Sequence, residues 1–433
     1  MQRPAHRLFN KQGVRKMEYY LEPAKKIPVY GTYDVIVAGG GCAGFASALA
    51  AARNGANVLI VEQYPFFGGT ATAGLMINLV GFRNQVEPDD VQVTKGIGEE
   101  LMLRLLAVGG AKHSPNAYPS AIRSDTKGDL SYNYIVDAER CKYEMMSMLL
   151  EAGVHILFHT YIVDAIVENH VVRGVIFENK SGRQAAMAHV TVDCTGDADV
   201  AFRAGVPFGQ ASVDEQKRLP DCLMYRIKGF DMRTKMYGCL DGDTMVVWGP
   251  LSMARDDTNG EELTQSEIET RSKVYMDLEE KIKKNPELAG AKVVETPVHL
   301  GVRQTRFIQG EYILTGEDVL EGRHFEDSIA MGINPVIAYY GYRRFLKHRG
   351  YQIPYRCLVP QTVDGLLVAG RCISSDQVAF ESYRAMAHIL CIGEGAGVAA
   401  ALCAQQCIPV RSININLLQT RLKEQGAEIG QTL

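Results

Sequence analysis

The segment from Tyr33 to Glu62 constrains the fold most, because its pattern is that of a strand, a glycine-rich turn, a helix and a second strand. An apolar run at 35–37 predicts a buried strand, and Gly39, Gly41 and Gly44 follow it with the spacing G-x-G-x-x-G. The first glycine permits a tight turn, the second lets the backbone approach a pyrophosphate, and the third lets the helix pack closely against the strand. The phosphates would then accept hydrogen bonds from N–H groups at the positive end of that helix.

The end of this segment supports the same interpretation. Gly55 ends the predicted helix, a second apolar strand covers 58–61, and Glu62 follows that strand, 18 residues after Gly44. An acid in this position can accept hydrogen bonds from both ribose hydroxyls of a nucleotide. The glycine motif alone would also fit an ordinary glycine-rich loop, but here the strand, the helix, the second strand and the acid occur together. The sequence therefore predicts a dinucleotide site.

Composition narrows the class of protein without fixing a function. The chain has 433 residues and a formal net charge of −4, which gives no general attraction to nucleic acid or anionic lipid. Its ten cysteines include no C-x-x-C pair and no spacing with histidines that suits a metal, so we expect reduced thiols, no metal site and a cytoplasmic location. The first 16 residues are basic and have no apolar core segment, so no secretory signal is expected there.

The most membrane-like window runs from Ala385 to Ala404. His388, Glu394 and three glycines interrupt it, which favours a buried helix over a membrane span. The glycine cluster at 393–397 could form a second nucleotide loop, but no strand and ribose-binding acid frame it, so close helix packing is the favoured interpretation. We expect a small-molecule substrate, no membrane or nucleic-acid partner, and leave a homo-oligomer open.

Helical and strand patterns alternate in the first half of the chain. A helix is predicted over 137–152 and a strand over 154–158, which together resemble another crossover unit on the same sheet. Alternation of apolar and polar residues over 161–177 predicts a β-meander, and a further strand is predicted at 190–193. From about residue 211 to 349 the sequence becomes more charged and has less glycine, which indicates an inserted domain.

Five motifs occur in an order that resembles one family of flavoproteins. They are Gly39 to Gly44, Gly68 to Gly74, Asp193 to Asp197, Gly301 to Tyr312, and Leu366 to Ser374. Together they run from residue 33 to about 404, and the ordered set is far more specific than the first motif alone. The chain resembles FAD-dependent oxidoreductases, specifically bacterial flavoproteins of the glutathione-reductase-like fold, in the branch shared with succinate dehydrogenase flavoproteins and amine oxidases.

The resemblance implies an α/β fold with a glutathione-reductase-like Rossmann FAD-binding domain and an inserted α+β substrate domain. On this basis we predict three units. They are an N-terminal extension at 1–30, a discontinuous FAD-binding domain at 31–80, 137–210 and 354–433, and a substrate or cap domain at 81–136 and 211–353.

The resemblance also implies which residues contact FAD. The first glycine motif would hold the pyrophosphate, Glu62 the adenosine ribose, and the helix after Tyr383 would direct its N-terminus at the flavin N1 and O2. The implied set is Gly39, Gly40, Gly41, Cys42, Ala43, Gly44, Glu62, Gln63, Gly68, Gly69, Thr70, Ala71, Tyr161, Ile162, Thr195, Gly196, Asp197, Gly370, Arg371, Met386 and Ala387. No redox cysteine pair follows Gly68 and Gly69 directly, which argues against a disulfide reductase of this fold. No histidine for covalent attachment lies there either, so FAD is expected to be noncovalent.

Candidates for catalysis carry less specific signals. Arg303 and Arg306 could present guanidinium groups to a carboxylate or another anion beside the flavin, or could form interdomain salt bridges. The family comparison implies that Tyr383, Arg384 and His388 lie beside the flavin ring, although His388 could simply cap a helix. Three further residues, His299, Tyr312 and His324, could act as general acids or bases or be structural.

The function predicted from these features is hydride transfer between a small organic molecule and noncovalent FAD. The direction of transfer is open at this stage, because oxidation next to an alcohol or amine and reduction of an activated double bond use similar groups. Two other classes fit the fold: a flavin-dependent tRNA-modifying protein and a flavin redox sensor without turnover. The acidic net charge and the lack of a lysine-rich tail disfavour the tRNA-modifying class.

Overall fold

The computed structural model describes residues 20–83, 92–114, 133–209, 219–230, 239–241, 244–337 and 343–430. Most of the predicted N-terminal extension lies outside these ranges, as do parts of the two predicted cap segments, 81–136 and 211–353. The division into those three units stays a prediction.

The described strands are β1 (Val29–Ala38), β2 (Val58–Val61), β3 (Asn78–Val80), β4 (Ala111–Ser114), β5 (Asn133–Val136), β6 (His155–Leu157), β7 (Tyr161–Glu168), β8 (Val171–Asn179), β9 (Gly182–Asp193), β10 (Tyr225–Lys228), β11 (Cys239–Asp241), β12 (Thr244–Val247), β13 (Lys292–Glu295), β14 (Ser328–Gly332), β15 (Val336–Ile337), β16 (Arg343–Arg344), β17 (Tyr351–Pro354) and β18 (Leu366–Val368). The α-helices are α1 (Cys42–Arg53), α2 (Ile97–Ala107), α3 (Ala138–Glu151), α4 (Asp199–Arg203), α5 (Gly260–Lys284), α6 (Gly316–Glu321), α7 (Gln377–Tyr383), α8 (Met386–Gln406) and α9 (Ile415–Glu424).

The main sheet has the strand order β6–β2–β1–β9–β8–β7, and β18 also pairs with β9. Strands β6, β2, β1, β9 and β18 run parallel, and all four residues of β2 are buried, as expected for strands covered on both faces. The β7–β8 hairpin turns at Asn169 and His170, whose φ angles are 51° and 63°. The Rossmann-like α/β fold predicted from the sequence is therefore confirmed.

Helices α1 and α8 pack against each other beside this sheet, in backbone-to-backbone contact. A Cβ at Gly393 would overlap the carbonyl oxygen of Ala43, and one at Gly397 would overlap that of Ser47. The Ser47 hydroxyl donates a hydrogen bond of 2.9 Å to the carbonyl oxygen of Gly393. These glycines therefore serve helix packing, as the favoured interpretation predicted.

Helix α8 is long and apolar enough to cross a membrane by length and composition alone. However, 94% of its most apolar window is buried inside the protein, in contact with α1, β9, β14 and other elements. A core helix passes the same test of hydropathy.

A second sheet with its own core lies in the region where the sequence becomes charged. Its order is β11–β12–β10–β13, all antiparallel, and α5 covers it with Val274 and Leu278. The Asn259 side chain caps the start of α5 by accepting hydrogen bonds from two backbone N–H groups. The Tyr225 hydroxyl on β10 donates a 2.7 Å hydrogen bond to Asp277 on the helix. This α+β unit reaches the main sheet through the residues that flank its strands.

Candidate functional site

A cavity of about 790 Å³ opens at the carboxyl ends of the parallel strands. Strands β1, β2, β9 and β18 contribute residues at or just after their carboxyl ends, which meet at one edge of the sheet. The chain at 69–70 and at 160–162, where β7 begins, completes this part of the wall. We call this part of the wall the glycine-rich half. It consists of Gly39, Gly41, Cys42, Ala43, Val61, Glu62, Gln63, Gly69, Thr70, Thr160, Tyr161, Ile162, Cys194, Thr195, Gly196, Asp197, Gly370 and Arg371.

At each of the three positions of the first motif, glycine is present for a different structural reason. Gly39 has a φ of +94°, and a Cβ there would lie 2.6 Å from the carbonyl oxygen of Cys194. A Cβ at Gly44 would overlap the carbonyl oxygen of Gly39. At Gly41 the nearest atom to a Cβ would be the Cα of Gly69, 4.0 Å away, and the residue faces the cavity. The turn and the close packing predicted for Gly39 and Gly44 are therefore observed, and Gly41 leaves room for a ligand to approach.

Glu62 is held rigidly at the cavity wall. Its carboxylate accepts hydrogen bonds from the backbone N–H groups of Gly40 at 2.6 Å and Tyr64 at 2.9 Å, and only 5% of the residue is exposed. Burial raises the pKa of Glu62, although these two hydrogen bonds oppose the shift. The predicted contact with a ribose fits this position and stays a prediction.

An ion pair between Asp197 and Arg371 lies across the middle of the glycine-rich half. The Thr305 hydroxyl donates a 2.8 Å hydrogen bond to the same Asp197 carboxylate. Arg371 Nε is buried and has no hydrogen-bond partner among the described residues, so this N–H is available to a ligand. A Cβ at Gly196 would lie 3.3 Å from the guanidinium, which indicates how closely the backbone approaches it.

Helix α8 begins at the cavity wall. Arg384, Ala385, Met386 and Ile389 line the cavity, and Ala385 at the N-cap provides no side-chain hydrogen bond to the first turn. Backbone N–H groups at such an end carry partial positive charge. Together with the glycine contacts, Glu62 and the Arg371 Nε, this helix end makes a site that fits FAD, which combines a ribose, a pyrophosphate and a polar ring.

Most of the remaining wall is apolar, and we call it the apolar half. It consists of Met76, Asn78, Val80, Cys222, Met224, Trp248, Leu251, Leu263, Leu300, Val302, Arg303, Asn334, Ile337, Glu381, Arg384, Met386 and Ile389. These residues come from β3, from segments flanking the second sheet, from the chain after β14, and from α7 and α8. Trp248 is the single tryptophan of the sequence.

Two of the five predicted catalytic residues, Arg303 and Arg384, line the cavity. Arg306 does not, because its guanidinium donates a 2.9 Å hydrogen bond to Asp199 and lies 4.3 Å from the centre of the Phe202 ring. The salt-bridge alternative considered for Arg306 matches this arrangement. The catalytic role expected of it stays a prediction.

Tyr383 and His388 are placed away from the cavity, and the catalytic roles expected of them stay predictions. Both are fully buried away from the cavity wall. The Tyr383 hydroxyl donates to the carbonyl oxygen of Arg371 at 2.9 Å, and the His388 Nε2 accepts from the backbone N–H of Ile333 at 3.1 Å. Burial lowers the pKa of His388 to about 4, so the ring is neutral at physiological pH. These side chains support the cavity from behind.

Five residues of the predicted FAD-contacting set lie behind the wall. Gly40 donates its N–H to Glu62, Gly44 packs on Gly39, and a Cβ at Gly68 would lie 2.6 Å from the Thr72 methyl group. The other two, Ala71 and Ala387, are fully buried. The remaining members of the set line the cavity together, so the structure brings residues from 39 to 386 to one site.

Several wall residues were not predicted. Glu381 is 8% exposed, accepts a 3.3 Å hydrogen bond from Gln377, and has its pKa raised by burial. An acid within the otherwise uncharged α7 segment, QVAFESY, was the available signal for it. His299, considered above as an acid or base, lines the cavity with its ring stacked on Tyr64, and burial lowers its pKa. The other two such candidates, Tyr312 and His324, do not line it.

Comparisons with known proteins agree with the cavity's construction. A family model described as FAD dependent oxidoreductase matches residues 34–239 and 223–422. A digeranylgeranylglycerophospholipid reductase 2 from Methanothermobacter thermautotrophicus is 26% identical over 203 residues, 46% of this chain and 48% of that protein. A digeranylgeranylglycerophospholipid reductase from Methanoculleus marisnigri is 24% identical over 201 residues, 46% of this chain and 47% of that protein. The chain thus spans about half the length of the curated relatives it matches.

One solved structure has a similar fold along most of the chain. It is a geranylgeranyl bacteriochlorophyll reductase-like protein from Thermoplasma acidophilum, with a TM-score of 0.51 and 15% sequence identity. The similarity covers 92% of this chain and 84% of that one. At this identity the likeness concerns the fold alone.

Proposed function

We propose, because the chain belongs to the FAD-dependent oxidoreductase family, that it transfers a hydride between noncovalently bound FAD and an apolar, unsaturated organic substrate. One observation carries the choice of substrate: an apolar wall adjoins the residues that fit the cofactor. Both belong to a single cavity of about 790 Å³. A cavity of this size suits a small molecule, and apolar side chains favour a substrate that gains by leaving water.

The direction we propose is reduction of a carbon–carbon double bond. Two curated relatives are named as reductases of a lipid with digeranylgeranyl chains, which supports this direction. Each matches only about half of its length to this chain, so their substrate is not transferred here. The proposal extends only to an unsaturated apolar group as the hydride acceptor.

FAD supplies the hydride chemistry when it is bound, and the protein supplies binding, orientation and protons. The glycine-rich half would hold the nucleotide part, with Glu62 at the ribose. No histidine follows Gly68 and Gly69 directly, which supports noncovalent binding. The Met76, Val80 and Met224 side chains would keep water away from the reacting carbon atoms.

Reduction of a double bond also needs a proton, and Glu381 is our candidate donor. Burial raises its pKa, so its acid form persists to higher pH than that of an ordinary glutamate. Arg303 and Arg384 line the same part of the cavity and would orient a polar or anionic end of the substrate.

The proposal can be tested with the purified flavin-loaded protein under anaerobic conditions. The flavin is first reduced chemically and then mixed with a panel of unsaturated apolar compounds and their saturated counterparts. We expect the absorbance of oxidised flavin to return with unsaturated compounds alone, and mass spectrometry to find a product that has gained two hydrogen atoms. Reoxidation by no unsaturated compound, together with reduction of oxidised flavin by an alcohol or amine, would contradict the proposal.

A further inference from the structure

The apolar half contains a buried amide whose polar atoms have no partner among the described residues. Asn78 is the first residue of β3, is 2% exposed and lines the cavity. Neither its amide nitrogen nor its amide oxygen makes a hydrogen bond within the part of the chain that the structure describes. Its neighbours on the same face of the chain, Met76 and Val80, also line the cavity and offer no hydrogen bond. Burying an amide in this way is unfavourable unless a ligand or water completes its hydrogen bonds.

A second buried amide of the same wall has an unpartnered acceptor alone. Asn334 is 5% exposed and lines the cavity, and its amide nitrogen donates a 3.5 Å hydrogen bond to the carbonyl oxygen of Pro335. Its side-chain oxygen accepts no hydrogen bond from the described residues. Its backbone is fixed, because the Ser382 hydroxyl donates a 2.5 Å hydrogen bond to its carbonyl oxygen. A buried acceptor on a fixed backbone is already in place to accept a hydrogen bond from a ligand, so little further ordering of the chain is needed on binding.

The segments carrying the two amides converge on one side chain of α8. The His388 Nε2 accepts a hydrogen bond from the backbone N–H of Ile333, the residue before Asn334. A Cβ at Gly81, the residue after β3, would lie 2.8 Å from the same nitrogen. The neutral His388 ring therefore holds both segments at the first turn of α8.

Asn78 differs from the other buried polar side chains of the wall that belong to the described residues. Glu62 accepts hydrogen bonds from backbone N–H groups, and Glu381 accepts one from Gln377. In Asn78, by contrast, the amide donor and the amide acceptor both lack a partner among the described residues.

We infer that Asn78, assisted by Asn334, is a recognition site for a planar group that presents an N–H or O–H beside a C=O. This inference rests on the proposed function for the identity of the cavity. Two sources carry such a group: the polar end of an apolar substrate, such as a carboxamide or carboxylic acid, and the pyrimidine edge of the flavin. In both cases Asn78 positions a ligand and takes no part in bond making.

The test compares two probes of the same shape, octanamide and 2-nonanone, which differ by an NH₂ in place of a CH₃. Binding to the flavin-loaded protein is followed by the fluorescence of Trp248, the single tryptophan, which lines the cavity. If the site holds a substrate group, wild-type protein should bind octanamide roughly tenfold more tightly than 2-nonanone. The variant Asn78→Leu should lose that preference and keep its affinity for 2-nonanone.

If the site holds the flavin edge instead, neither protein should prefer octanamide. Asn78→Leu should then shift the visible absorbance and midpoint potential of the bound flavin and lower the flavin content of the purified protein. A second variant, Asn78→Asp, keeps the size of the side chain but replaces the amide donor with a charged acceptor. It should show the same loss of probe preference or of flavin contact as Asn78→Leu, so the test does not depend on whether the leucine variant folds. The matched control is Asn416→Leu on the exposed surface of α9.

Unchanged probe preference, flavin spectrum, potential and content in both Asn78 variants would overturn the inference and leave water as the partner of the amide. The proposed function is tested separately, by reoxidation of reduced flavin with unsaturated compounds. A protein that fails that test can still discriminate octanamide from 2-nonanone, so the two failures are distinguishable.

Discussion

The two halves of the cavity are built on different principles. The glycine-rich half is built mainly from residues at or just after the carboxyl ends of the four parallel strands β1, β2, β9 and β18. The apolar half uses long side chains, such as Met224 and Trp248, from segments that belong to several sheets and to the chain between them. The first depends on where the sheet ends, and the second on how separate elements pack together.

This difference teaches which part of the site can change. Backbone groups at strand ends are fixed by the sheet, so substitutions there act on the fold and the cofactor together. Side chains of the apolar half can be exchanged while the strands stay in place, because each contributes a small part of the surface. We therefore expect cofactor retention to depend on the glycine-rich half, and substrate choice on the apolar half.

The strongest test of this comparison is Gly44→Ala. The added Cβ would overlap the carbonyl oxygen of Gly39, and neither atom can move away unless the main chain moves. We expect a loss of unfolding free energy of about 3 kcal/mol and a protein purified without flavin. Thermal unfolding and the flavin-to-protein absorbance ratio measure both effects.

The control for that variant is Gly260→Ala, at the start of α5, where a Cβ would have no neighbour within 4 Å. It should keep its flavin and gain slightly in stability, since alanine is the better helix former. Normal flavin content in Gly44→Ala would break the link between strand-end packing and the cofactor.

Glu381→Gln tests the apolar half at the level of chemistry. General acid catalysis contributes at least about 100-fold, so reoxidation of reduced flavin by an unsaturated substrate should slow by that factor. Because burial raises the pKa of Glu381, the wild-type rate should stay high above the pKa of an ordinary glutamate and fall as pH rises through the raised value. The variant should show no such fall in a stopped-flow pH series.

The exposed Glu287 supplies a control for the glutamate change, as Glu287→Gln. It should reproduce the wild-type pH profile. A Glu381→Gln protein with the wild-type profile would show that the proton comes from another group.

Glu62→Ala returns to the glycine-rich half. It removes a buried carboxylate, and hydrogen bonds to charged groups contribute about 1.5–3 kcal/mol, which corresponds to a roughly 10- to 100-fold weaker flavin affinity. Titration of flavin-free protein with FAD measures this change. The exposed Glu168→Ala on β7 should bind FAD as wild type does, and equal affinity in both variants would argue against a ribose contact at Glu62.

The smallest expected effect is that of Arg303→Ala, compared with Arg306→Ala. Loss of the cavity-lining Arg303 should leave flavin content unchanged and slow reaction with a substrate that has a polar end about tenfold. Loss of Arg306, which pairs with Asp199, should mainly lower the melting temperature. Equal kinetic losses in both variants would mean that the two arginines act through the same structural contact.

The difference between the glycine-rich half and the apolar half also explains which site residues could be predicted from the sequence. Gly39, Gly44 and Glu62 follow a local pattern within 30 residues, so their placement could be predicted from spacing and strand order. Arg303 and Arg306 lie in a segment with irregular backbone, where neither the helical nor the strand period indicates which side chain faces the cavity. Asn78 belongs to a three-residue strand, and nothing in its neighbours indicates that its amide would be left without a partner.

Tyr383 and His388 show how little a family motif says about single side chains. The segment that contains them reaches the cavity, since Arg384 and Met386 line it. The helical structure is interrupted between α7 and α8, at Arg384 and Ala385. The side chains of Tyr383 and His388, on either side of this interruption, are buried. A family motif identifies the segment but not the direction of each side chain within it.

The packing of α1 against α8 determines the order in which contacts can form while the chain is being synthesised. The hydrogen bond from Ser47 to Gly393 joins residues 346 positions apart, and β18 reaches β9 only after the intervening chain has been made. A growing chain that has emerged as far as β9 still exposes the face of α1 that Gly393 and Gly397 later cover. Contacts this distant in sequence form slowly. The nucleotide motif is therefore made well before the segments at 370–389 that complete its cavity, so the cavity can close only after those segments have been made.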